Sequence, residues 1–354
     1  MQVSYLKSMN ILREMRKILL IYTGGTIGMV KDHKTGELKS FNFDHLYEQV
    51  PELERFPLEI SSISFKHPID SSEMTLCHWT DLVEIIEENY HRFDGFVILH
   101  GSDTMAFTAS ALSFMLSGLR KPVILTGSQL PIGTIRTDGK ENLITAVEIA
   151  AATDERGEPI VQEVAVYFEY SLYRGNRCSK VSANQFEAFR SPNYPELAVA
   201  GVTIEYAFDK LFRTRENEQK FIKKMTASVG LIRLYPGIPV KSYANLFDVS
   251  INKALVIETF GAGNAPSNPE FQAFITQYIE SGGVVLNVTQ CSSGSVKQGA
   301  YQTSSFFEKA GVISGKDMTT EAALAKLQYL LAKEVNTDKI KRLLHTNLVG
   351  EISD

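Results

Sequence analysis

Short apolar runs rich in valine, isoleucine and leucine recur along the chain, and most of them end in glycine or polar residues. The segments between these runs place apolar residues at helical spacing, as residues 319–334 illustrate. The predicted apolar face of that segment consists of Ala323, Leu324, Leu327 and Leu331. Buried strands that alternate with helices are typical of β-α-β units, so the pattern predicts an α/β fold with a largely parallel sheet. The predicted strands are KILLIY (17–22), GFVILH (95–100), PVILTG (122–127), EVAVYF (163–168), VGLIRLY (229–235), ALVIETF (254–260) and VVLNVTQ (284–290).

A charged segment, RTRENEQKFIKK at residues 213–224, interrupts this alternation and carries no strand pattern. We interpret it as a linker or a solvated helix between two α/β domains. A chain of 354 residues is long enough for two domains with separate cores. The predicted organisation is a disordered extension at 1–15, in which Met15 is an alternative start, an N-terminal domain at 16–212, a linker at 213–228 and a C-terminal domain at 229–354.

The charge and the cysteine content exclude several classes of protein. A net charge of −5 and a pI near 5.9 argue against a nucleic-acid-binding protein, which would need a basic face. The three cysteines, Cys77, Cys178 and Cys291, form no C-x-x-C pair, so neither a zinc site nor a disulfide framework is expected. No stretch has the length of a transmembrane helix, and the apolar run at 18–22 is too short for a signal-peptide core. We therefore expect a cytoplasmic protein.

The first predicted strand ends in a glycine-rich turn, TGGTIG at 23–28. A dinucleotide-binding turn would need G-x-G-x-x-G and a P-loop would need G-x-x-x-x-G-K-[ST], and the turn contains neither motif. What remains is the hydroxyl of Thr26, which follows two glycines at the carboxyl end of a strand, where open α/β sheets bind their ligands. The alternative interpretation is a tight turn that needs glycine and tolerates threonine.

A second hydroxyl follows another predicted strand, in HGSDTM at 100–105. There Ser102 and Asp103 place a hydroxyl and a carboxylate at the strand end, although Ser-Asp-Thr is also an ordinary helix N-cap. Further along the chain, Lys180 ends the stretch LYRGNRCSK and could act as a base, since burial and neighbouring cations lower the pKa of a lysine. A surface lysine that pairs with an acid is the alternative.

The remaining polar stretches limit the kinds of reaction that the chain could catalyse. In PIDSSEM at 68–74, Asp70, Ser71 and Ser72 can grip an α-amino or α-carboxyl group, although this composition is also common in loops and helix starts. The chain contains no H-E-x-x-H and no G-x-S-x-G motif, and we expect His100 to be packed in the core. A hydrolase that uses hydroxyl nucleophiles would then need a lysine or a carboxylate as proton acceptor.

Four motifs together resemble the bacterial-type L-asparaginases, specifically the cytoplasmic type I branch. They follow one another in the order found in that family: TGGTIG, DSSEM, HGSDTM and RGNRCSK. The resemblance extends from about residue 16 to the C-terminus and includes GNAPSN (263–268) and NVTQCSSGSV (287–296). It implies hydrolysis of the side-chain amide of L-asparagine to L-aspartate and ammonia, with minor glutaminase activity and without a metal or cofactor. It also implies a larger N-terminal domain with a mostly parallel sheet flanked by helices, a smaller C-terminal flavodoxin-like α/β domain, and a homotetramer built as a dimer of dimers.

The resemblance also implies roles for the candidate residues. Thr26 matches the nucleophilic threonine that forms a covalent aspartyl ester. The second proton-handling set would consist of Ser102, Asp103 and Lys180. The implied substrate-binding residues are Asp70, Ser71, Ser72, Ser102, Asp103, which would contact the α-amine, and Ser128 at the amide end of the pocket.

Two positions near these residues depart from the family pattern. Ser102 stands where the family has threonine; the hydroxyl is kept, but serine is freer at χ1. The loop after the first motif carries a tyrosine in the family that closes over the nucleophile, whereas this chain has Glu37 there and no tyrosine before Tyr47. The sequence therefore leaves open which side chain orders Thr26.

A third departure concerns regulation. Some type I members have a second asparagine site, and the matching residues here are Ser179, Glu258, Asn264, Thr289 and Cys291. Glu258 stands where an arginine would hold the effector's carboxylate, and a carboxylate cannot make that clamp. We therefore expect no activation by asparagine.

Two other functions stay open. An asparaginase-like subunit of a tRNA-dependent amidotransferase carries an extra N-terminal domain before the TGGT strand, whereas only about fifteen residues precede that strand here. A non-catalytic amino-acid-binding regulator could keep the pocket and lose the reactive groups. Both hydroxyls and the Asp103–Lys180 pair are retained, which favours an enzyme, although fold alone never settles function.

Overall fold

The computed structural model describes residues 15–31, 38–40, 50–214, 216–299, 302–334 and 336–353. The predictions that concern Glu37, Tyr47 and residues 1–14 of the extension lie outside these described residues. Every predicted strand lies within them and is observed as a strand.

An eight-stranded sheet forms the centre of the N-terminal part. The strands of this part are β1 (Arg16–Gly24), β2 (Met29–Lys31), β3 (Leu38–Ser40), β4 (Leu58–Ile69), β5 (Gly95–Leu99), β6 (Val123–Thr126), β7 (Val164–Phe168), β8 (Ser171–Arg174), β9 (Ser179–Lys180), β10 (Phe189–Arg190), β11 (Ala198–Ala200) and β12 (Ile204–Tyr206). The order in the large sheet is β12-β11-β8-β7-β6-β5-β1-β4. From β7 to β4 the strands are parallel, and β8, β11 and β12 extend the sheet by antiparallel pairing. The strands β2 and β3, and likewise β9 and β10, form separate antiparallel pairs.

Both faces of β1, β5, β6 and β7 are buried, which explains their uninterrupted apolar runs, whereas the edge strand β4 is partly exposed. The helices around the large sheet are α1 (Leu76–Asn89), α2 (Met105–Met115) and α3 (Gly139–Ala151). Successive side chains of a strand point to opposite faces, so alternate residues of β1 enter different cores. Leu19 and Ile21 lie in the core shared with α1 and α2. Ile18 and Leu20 lie in the core shared with α3.

A four-stranded parallel sheet forms the C-terminal part. Its strands are adjacent in chain order: β13 (Val229–Arg233), β14 (Ala254–Thr259), β15 (Val284–Thr289) and β16 (Ile313–Ser314). The helices of this part are α4 (Pro269–Glu280), α5 (Gln302–Ala310), α6 (Thr320–Lys333) and α7 (Thr337–Leu344). A larger, mostly parallel sheet flanked by helices and a smaller parallel-sheet domain confirm the predicted α/β fold class. No helix in the described part of the chain is long and apolar enough to cross a membrane.

Helix α6 coincides with the segment that the apolar stripe predicted. It is buried on more sides than one stripe requires, because it packs both on the C-terminal sheet and on α2 of the N-terminal part. Phe114 of α2 stacks on Tyr329 of α6, with ring centroids 5.7 Å apart. The two parts of the chain therefore share one core across this helix pair.

The charged segment at 213–224 is not a solvated helix, so that alternative is wrong. Its described residues form neither helix nor strand. The backbone nitrogens of Lys220 and Ile222 each donate to a backbone oxygen at or just after the end of α2, at 2.8 Å. Phe221 packs edge-on against Tyr90 of the N-terminal part, with ring centroids 5.3 Å apart. Phe221 and Ile222 pack against the core, and the ion pairs Lys220–Glu216 and Lys223–Glu87 also hold this segment.

Candidate active site

The candidate residues gather at the carboxyl ends of four adjacent parallel strands, in the order β6-β5-β1-β4. Loops that follow neighbouring parallel strands emerge at the same edge of a sheet and meet there. The residues placed at this edge are Thr26 after β1, Asp70, Ser71 and Ser72 after β4, Ser102 and Asp103 after β5, and Ser128 after β6. Motifs that are distant in the sequence are therefore close in the structure.

Glycines allow three of these strand ends to approach each other. Gly24, with φ 134°, and Gly25, with φ 87°, adopt backbone angles that side chains rarely permit. A Cβ on Gly24 would lie 2.0 Å from the backbone oxygen of Ile69 at the end of β4. A Cβ on Gly25 would lie 2.5 Å from the Cα of Gly101, and a Cβ on Gly101 would lie 2.6 Å from Ser71 Oγ. The close contact between three loops, and not a phosphate, accounts for the glycines of this turn.

A buried tyrosine holds the turn that presents Thr26. The turn is a short 3₁₀ helix at Thr26–Gly28, and the Tyr22 hydroxyl donates to the backbone oxygens of Gly28 at 3.1 Å and Gly25 at 3.4 Å. The tyrosine ring fills the space in which a Cβ of Gly28 would lie, at 2.3 Å. Thr26 is half-buried, and no described residue forms a hydrogen bond with its hydroxyl. Tyr22 thus fixes the turn through its backbone oxygens, and the Thr26 hydroxyl stays available to a ligand.

Lys180 joins the polar groups that follow β5. Its Nζ donates to Ser102 Oγ at 2.8 Å and to Asp103 Oδ1 at 2.6 Å. The lysine side chain is 17% exposed and the aspartate side chain is 64% exposed, so the ion pair opens to solvent on the aspartate side. Although β9 lies far from β5 in the sequence, the fold brings these three residues together as one hydrogen-bonded set.

The loop after β4 presents a charged carboxylate. Asp70 Oδ1 accepts from the backbone nitrogen and the hydroxyl of Ser72, both at 2.8 Å, and these hydrogen bonds hold the pKa of Asp70 below its usual value. Ser71 is buried, and its backbone oxygen accepts from the Thr104 hydroxyl at 2.7 Å. The loops after β4 and β5 are thereby fastened together, while Asp70 remains exposed.

His100 lies at the end of β5 and is neutral. It is fully buried, and burial lowers its pKa to about 4. Its Nδ1 lies 2.7 Å from the backbone oxygen of Gly101, which can only accept, so Nδ1 carries the proton. Nε2 then accepts from the Thr108 hydroxyl at 2.9 Å, and that hydroxyl accepts from the Trp79 indole at 2.9 Å. The prediction that His100 is a packed core residue is confirmed.

Ser128 directs its proton to the backbone. It is buried, and its hydroxyl donates to the backbone oxygen of Leu130 at 2.6 Å. Asp138 fixes the same loop, because its carboxylate accepts from the backbone nitrogens of Gln129 at 2.8 Å and Leu130 at 3.0 Å. The Ser128 oxygen keeps a lone pair with which it can accept a hydrogen bond from a ligand.

The three thiols are free, and that of Cys178 donates to the backbone oxygen of Gly175 in its own loop, at 3.8 Å. Cys178 is fully buried, and burial raises the pKa of its thiol. Cys77 and Cys291 are exposed and free. Among the residues that the structure describes, no group of three or more histidine, cysteine, aspartate or glutamate side chains could hold a metal ion.

Glu258 is engaged by a cation that the sequence did not reveal. Its carboxylate accepts from the Thr320 hydroxyl at 2.6 Å and from Arg233 Nη1 at 3.3 Å. Arg233 is paired with Glu258 in the parallel register of β13 and β14, and its side chain is 64% exposed. The Glu258 carboxylate is therefore partly neutralised by a side chain of the neighbouring strand.

Local hydrogen bonds hold the other residues of the expected second site. Thr289 Oγ1 donates to a backbone oxygen at 2.6 Å and accepts from the backbone nitrogen of Cys291 at 3.0 Å. Asn264 forms a backbone bridge within the loop after β14. Ser179 Oγ donates to Glu321 of α6 at 3.0 Å. Ser179 thus ties the strand that ends in Lys180 to the C-terminal part of the chain.

Comparisons with known proteins cover nearly the whole chain. Residues 17–211 match the family model "Asparaginase, N-terminal", and residues 228–344 match "Glutaminase/Asparaginase C-terminal domain". The chain is 42% identical to L-asparaginase 1 of Escherichia coli strain K12 over 339 residues, which cover 96% of this chain and 98% of that protein. It is 38% identical to the 60 kDa lysophospholipase of Mus musculus in an alignment of 361 positions, gaps included, which spans 96% of this chain and 63% of that protein.

A solved structure agrees with these sequence matches. The crystal structure of L-asparaginase I from Vibrio cholerae O1 biovar eltor str. N16961 is similar to this fold with a TM-score of 0.86 and 40% sequence identity, covering 96% of this chain and 99% of that chain. Both candidate sites lie within the residues that the two family models match. The chain belongs to the asparaginase family.

Proposed function

We propose that this chain hydrolyses the side-chain amide of L-asparagine to L-aspartate and ammonia, with Thr26 as the nucleophile. One observation supports this function more than any other: the open hydroxyl of Thr26 and the set of Ser102, Asp103 and Lys180 lie at neighbouring strand ends of one sheet. Membership of the asparaginase family supports the same substrate and reaction.

In the first half of the proposed reaction, the Thr26 oxygen attacks the side-chain amide carbon of asparagine. The C–N bond breaks, the hydroxyl proton passes to the departing nitrogen, and ammonia leaves behind an aspartyl ester. Backbone N–H groups of the glycine-rich turn would stabilise the oxyanion, a contribution of about 10²–10³ in rate for each donor in measured enzymes. Because Tyr22 fixes the turn, these donors would be in place before the substrate binds.

In the second half, water attacks the ester carbon and the bond to the Thr26 oxygen breaks, which releases aspartate. Ser102 would accept a proton from the attacking water while it passes its own proton to Lys180, which must first release a proton from the ammonium form that pairs with Asp103. The ammonium group that results is held by Asp103, whose Oδ1 lies 2.6 Å from Nζ. Return of this proton to the Thr26 oxygen restores the starting state.

The loops after β4, β5 and β6 would bind the rest of the substrate. The carboxylates of Asp70 and Asp103 suit the α-ammonium group, because opposite charges attract strongly where water is partly excluded. The hydroxyl of Ser72 would turn away from Asp70, to which it donates in this structure, to donate to the α-carboxylate, and the free lone pair of Ser128 suits the amide N–H. This set of polar groups favours a small zwitterionic substrate.

Ammonia release from the purified protein tests the proposed function. The assay uses L-asparagine and L-glutamine from micromolar to millimolar concentrations, and we expect turnover of asparagine with slower turnover of glutamine. Thr26→Ala is the matched control, because a contaminating asparaginase in the preparation would be unaffected by the substitution. Absence of ammonia above the level of that control would contradict the proposal.

Other functions give different results with the same preparation. A non-catalytic regulator would bind asparagine in a calorimeter without releasing ammonia, and an amidotransferase subunit would turn over only with its partner and charged tRNA. The lysophospholipase relative motivates a third assay, which measures fatty-acid release from a lysophospholipid. Asp70, Asp103 and Lys180 fit an amino acid better than an acyl chain, so we expect no release in that assay.

We further propose a cytoplasmic homotetramer built as a dimer of dimers. Free, exposed thiols at Cys77 and Cys291 suit a reducing compartment. Large apolar side chains exposed at Tyr170, Val202 and Phe208 offer surface for association between chains. Analytical ultracentrifugation measures the assembly, and a monomer at micromolar concentration would contradict it.

Substitutions at Ser102 should separate the role of the hydroxyl from that of the side-chain shape. Ser102→Ala is expected to lower kcat by about 10²–10⁴-fold, because it removes the oxygen that links water to Lys180. Ser102→Thr is expected to keep or raise activity, since it retains the hydroxyl and stiffens χ1. Ammonia release at saturating asparagine measures both variants. Normal turnover by the alanine variant would show that the proton relay does not pass through this residue.

The natural protein is expected to give a hyperbolic velocity curve with asparagine. The Glu258 carboxylate would repel the carboxylate of an effector, and Arg233 is already engaged by Glu258, so asparagine would gain little preference for an active state. Velocity measured against asparagine concentration tests this expectation, with Glu258→Gln as the comparison at the same protein concentration. A clearly sigmoidal curve for the natural protein would show that an effector is held in another way.

A further inference from the structure

The loop that precedes Lys180, residues 174–178, is bound by the C-terminal tail, which we define as residues 345–353. We propose that this tail positions Lys180: it holds the loop in the conformation that places the lysine ammonium against Ser102 and Asp103. The proposal rests on the function proposed above. The residues concerned are positioning residues, which act through Lys180 and do not contact the substrate.

Three side chains of the loop donate hydrogen bonds to backbone oxygens of the tail. Arg174 Nη1 donates to Gly350 O at 3.4 Å, Asn176 Nδ2 to Val349 O at 3.0 Å and Arg177 Nη1 to Glu351 O at 2.8 Å. The three donor residues are 5%, 0% and 1% exposed, respectively. Arg174 and Arg177 also donate to Glu163 and to the backbone oxygen of Asn193, whereas the amide of Asn176 donates to the tail. Because buried donors need partners, the acceptors of the tail stabilise this conformation of the loop.

A fully buried ion pair fixes the tail itself. Glu351 Oε1 lies 2.6 Å from Lys326 Nζ of α6, and neither side chain is exposed. The Glu351 carboxylate also accepts from the backbone nitrogens of Leu348 and Val349, at 3.0 and 2.8 Å, and so closes the tail into a turn. Lys326 donates further to two backbone oxygens near the end of α7, at 3.1 and 2.7 Å. The tail is therefore a defined partner for the loop.

A second ion pair, between Arg177 and Asp317, lies where the loop meets the end of the tail. Arg177 Nη2 lies 2.6 Å from Asp317 Oδ2 and 3.0 Å from Ser353 Oγ. The Ser353 hydroxyl donates to the same carboxylate at 2.6 Å. Burial alone would raise the pKa of Asp317, but the hydrogen bonds from Arg177 and Ser353 hold it below its usual value. The carboxylate therefore stays charged and keeps these two residues together.

The residues that contact the tail lie close in the sequence to Lys180, which carries the ammonium group. Arg177 is separated from Lys180 by two residues, and one of them, Ser179, is hydrogen-bonded to α6. Lys180 Nζ meets Ser102 at 2.8 Å and Asp103 at 2.6 Å. Hydrogen bonds weaken steeply outside such distances, and a displacement of about 1 Å at a reacting group can cost about 10²-fold in rate. A loop released by the tail would therefore lose the arrangement of the proton relay.

The alternative is that the tail contributes to stability alone. Buried hydrogen bonds stabilise proteins in general, so a lower Tm would not by itself support positioning. Two buried atoms of the loop, Asn176 Oδ1 and Arg177 Nε, have no hydrogen-bond partner among the described residues. Unsatisfied buried atoms are costly and need a reason. If the loop keeps this conformation because it places Lys180, the unsatisfied atoms have a reason. If the loop served stability alone, they would have none.

Two asparagine-to-alanine variants separate these explanations. Asn176→Ala removes the hydrogen bond to the tail, whereas Asn336→Ala removes an N-cap of α7, in which Asn336 Oδ1 accepts from the backbone nitrogen of Lys339 at 2.9 Å. We expect both variants to lower Tm. We expect Asn176→Ala to lower kcat for asparagine by about tenfold or more with KM changed by less than about twofold, and Asn336→Ala to leave both unchanged.

Reductive methylation of Lys180, measured by peptide mass spectrometry, gives a readout that does not depend on asparagine turnover. We expect Lys180 to be methylated several-fold faster in Asn176→Ala and in Ser353→Ala than in the natural protein. Ser353→Thr keeps the hydroxyl on Asp317 and is expected to restore the natural rate. Ser353 is exposed, so this pair of variants is expected to fold even if Asn176→Ala does not.

The outcomes distinguish the two proposals. If the natural protein releases no ammonia, the proposed function fails, and the methylation rates still decide whether the tail positions Lys180. If Asn176→Ala equals Asn336→Ala in both kcat and methylation rate, the tail has a structural role only and the positioning proposal is overturned. Should Asn176→Ala fail to fold, equal methylation rates in Ser353→Ala and Ser353→Thr would overturn it instead.

Discussion

Thr26→Ala is expected to abolish ammonia release from L-asparagine, with a loss in kcat of at least about 10⁴-fold. The substitution removes the hydroxyl that would attack the amide, and its neighbours in the turn, Gly25 and Ile27, carry no nucleophilic group. Thr26 is half-buried and no described residue hydrogen-bonds to its hydroxyl, so we expect Tm to change by no more than about 4 °C. Ammonia release and thermal unfolding are measured on the same preparation.

Thr26→Ser is the matched control for this loss. Serine keeps the hydroxyl and gives up only the methyl group, which leaves χ1 freer, so we expect reduced but measurable turnover. If Thr26→Ala instead retains activity within about tenfold of the natural protein, a difference of about 1.4 kcal/mol in the barrier, Thr26 is not the nucleophile.

Lys180→Met is expected to lower kcat by about 10²–10⁴-fold, the usual contribution of a positioned acid or base. Methionine has a similar length and can fill the same half-buried space, but it cannot take up the proton that Ser102 passes on. Asp103 also loses its only ion-pair partner in the described part of the chain. Steady-state ammonia release gives kcat and KM, and the fall is expected mainly in kcat.

Lys210→Met controls for the loss of a lysine that pairs with an aspartate. Lys210 Nζ lies 2.7 Å from Asp209, with side chains 41% and 74% exposed, and exposed ion pairs contribute little to stability. We expect natural activity and a natural Tm from this variant. Turnover by Lys180→Met at the natural rate would assign the proton relay to a different group.

The strands and the edge at which the candidate residues gather could be predicted from the sequence. Strands such as β1 and β5 are buried on both faces, so their apolar runs are continuous and their ends are sharp. Polar residues directly after such runs must lie at the carboxyl edge of the sheet. This reasoning is sufficient to single out the hydroxyls of Thr26 and Ser102 from the sequence alone.

Contacts across the fold could not be predicted in the same way. Arg233 meets Glu258 only through the register of two parallel strands, which the sequence does not state. Lys326 and Glu351 look like ordinary surface charges until packing buries both of them. The charged composition around 213–224 likewise concealed the packing of Phe221 and Ile222 against the core.

Tyr22 is a different case, because the sequence contained a usable cue. It is an aromatic residue with a hydroxyl in an otherwise aliphatic run, immediately before the glycine-rich turn. A buried tyrosine hydroxyl usually finds a hydrogen-bond partner, and the nearest backbone oxygens not committed to a sheet were those of the turn. The position of Tyr22 before the turn therefore indicates that this residue supports Thr26, although only the structure shows which backbone oxygens accept from its hydroxyl.

The close approach of Gly24, Gly25 and Gly101 limits how this protein can be diversified. A side chain at any of these positions would push apart two strand ends, and with them the hydroxyls and carboxylates that the strands carry. Side chains at the rim, such as Ser72, make contacts that other polar residues can replace. Laboratory evolution toward other amides would therefore progress by changing rim residues, while the three glycines would stay invariant in every active descendant.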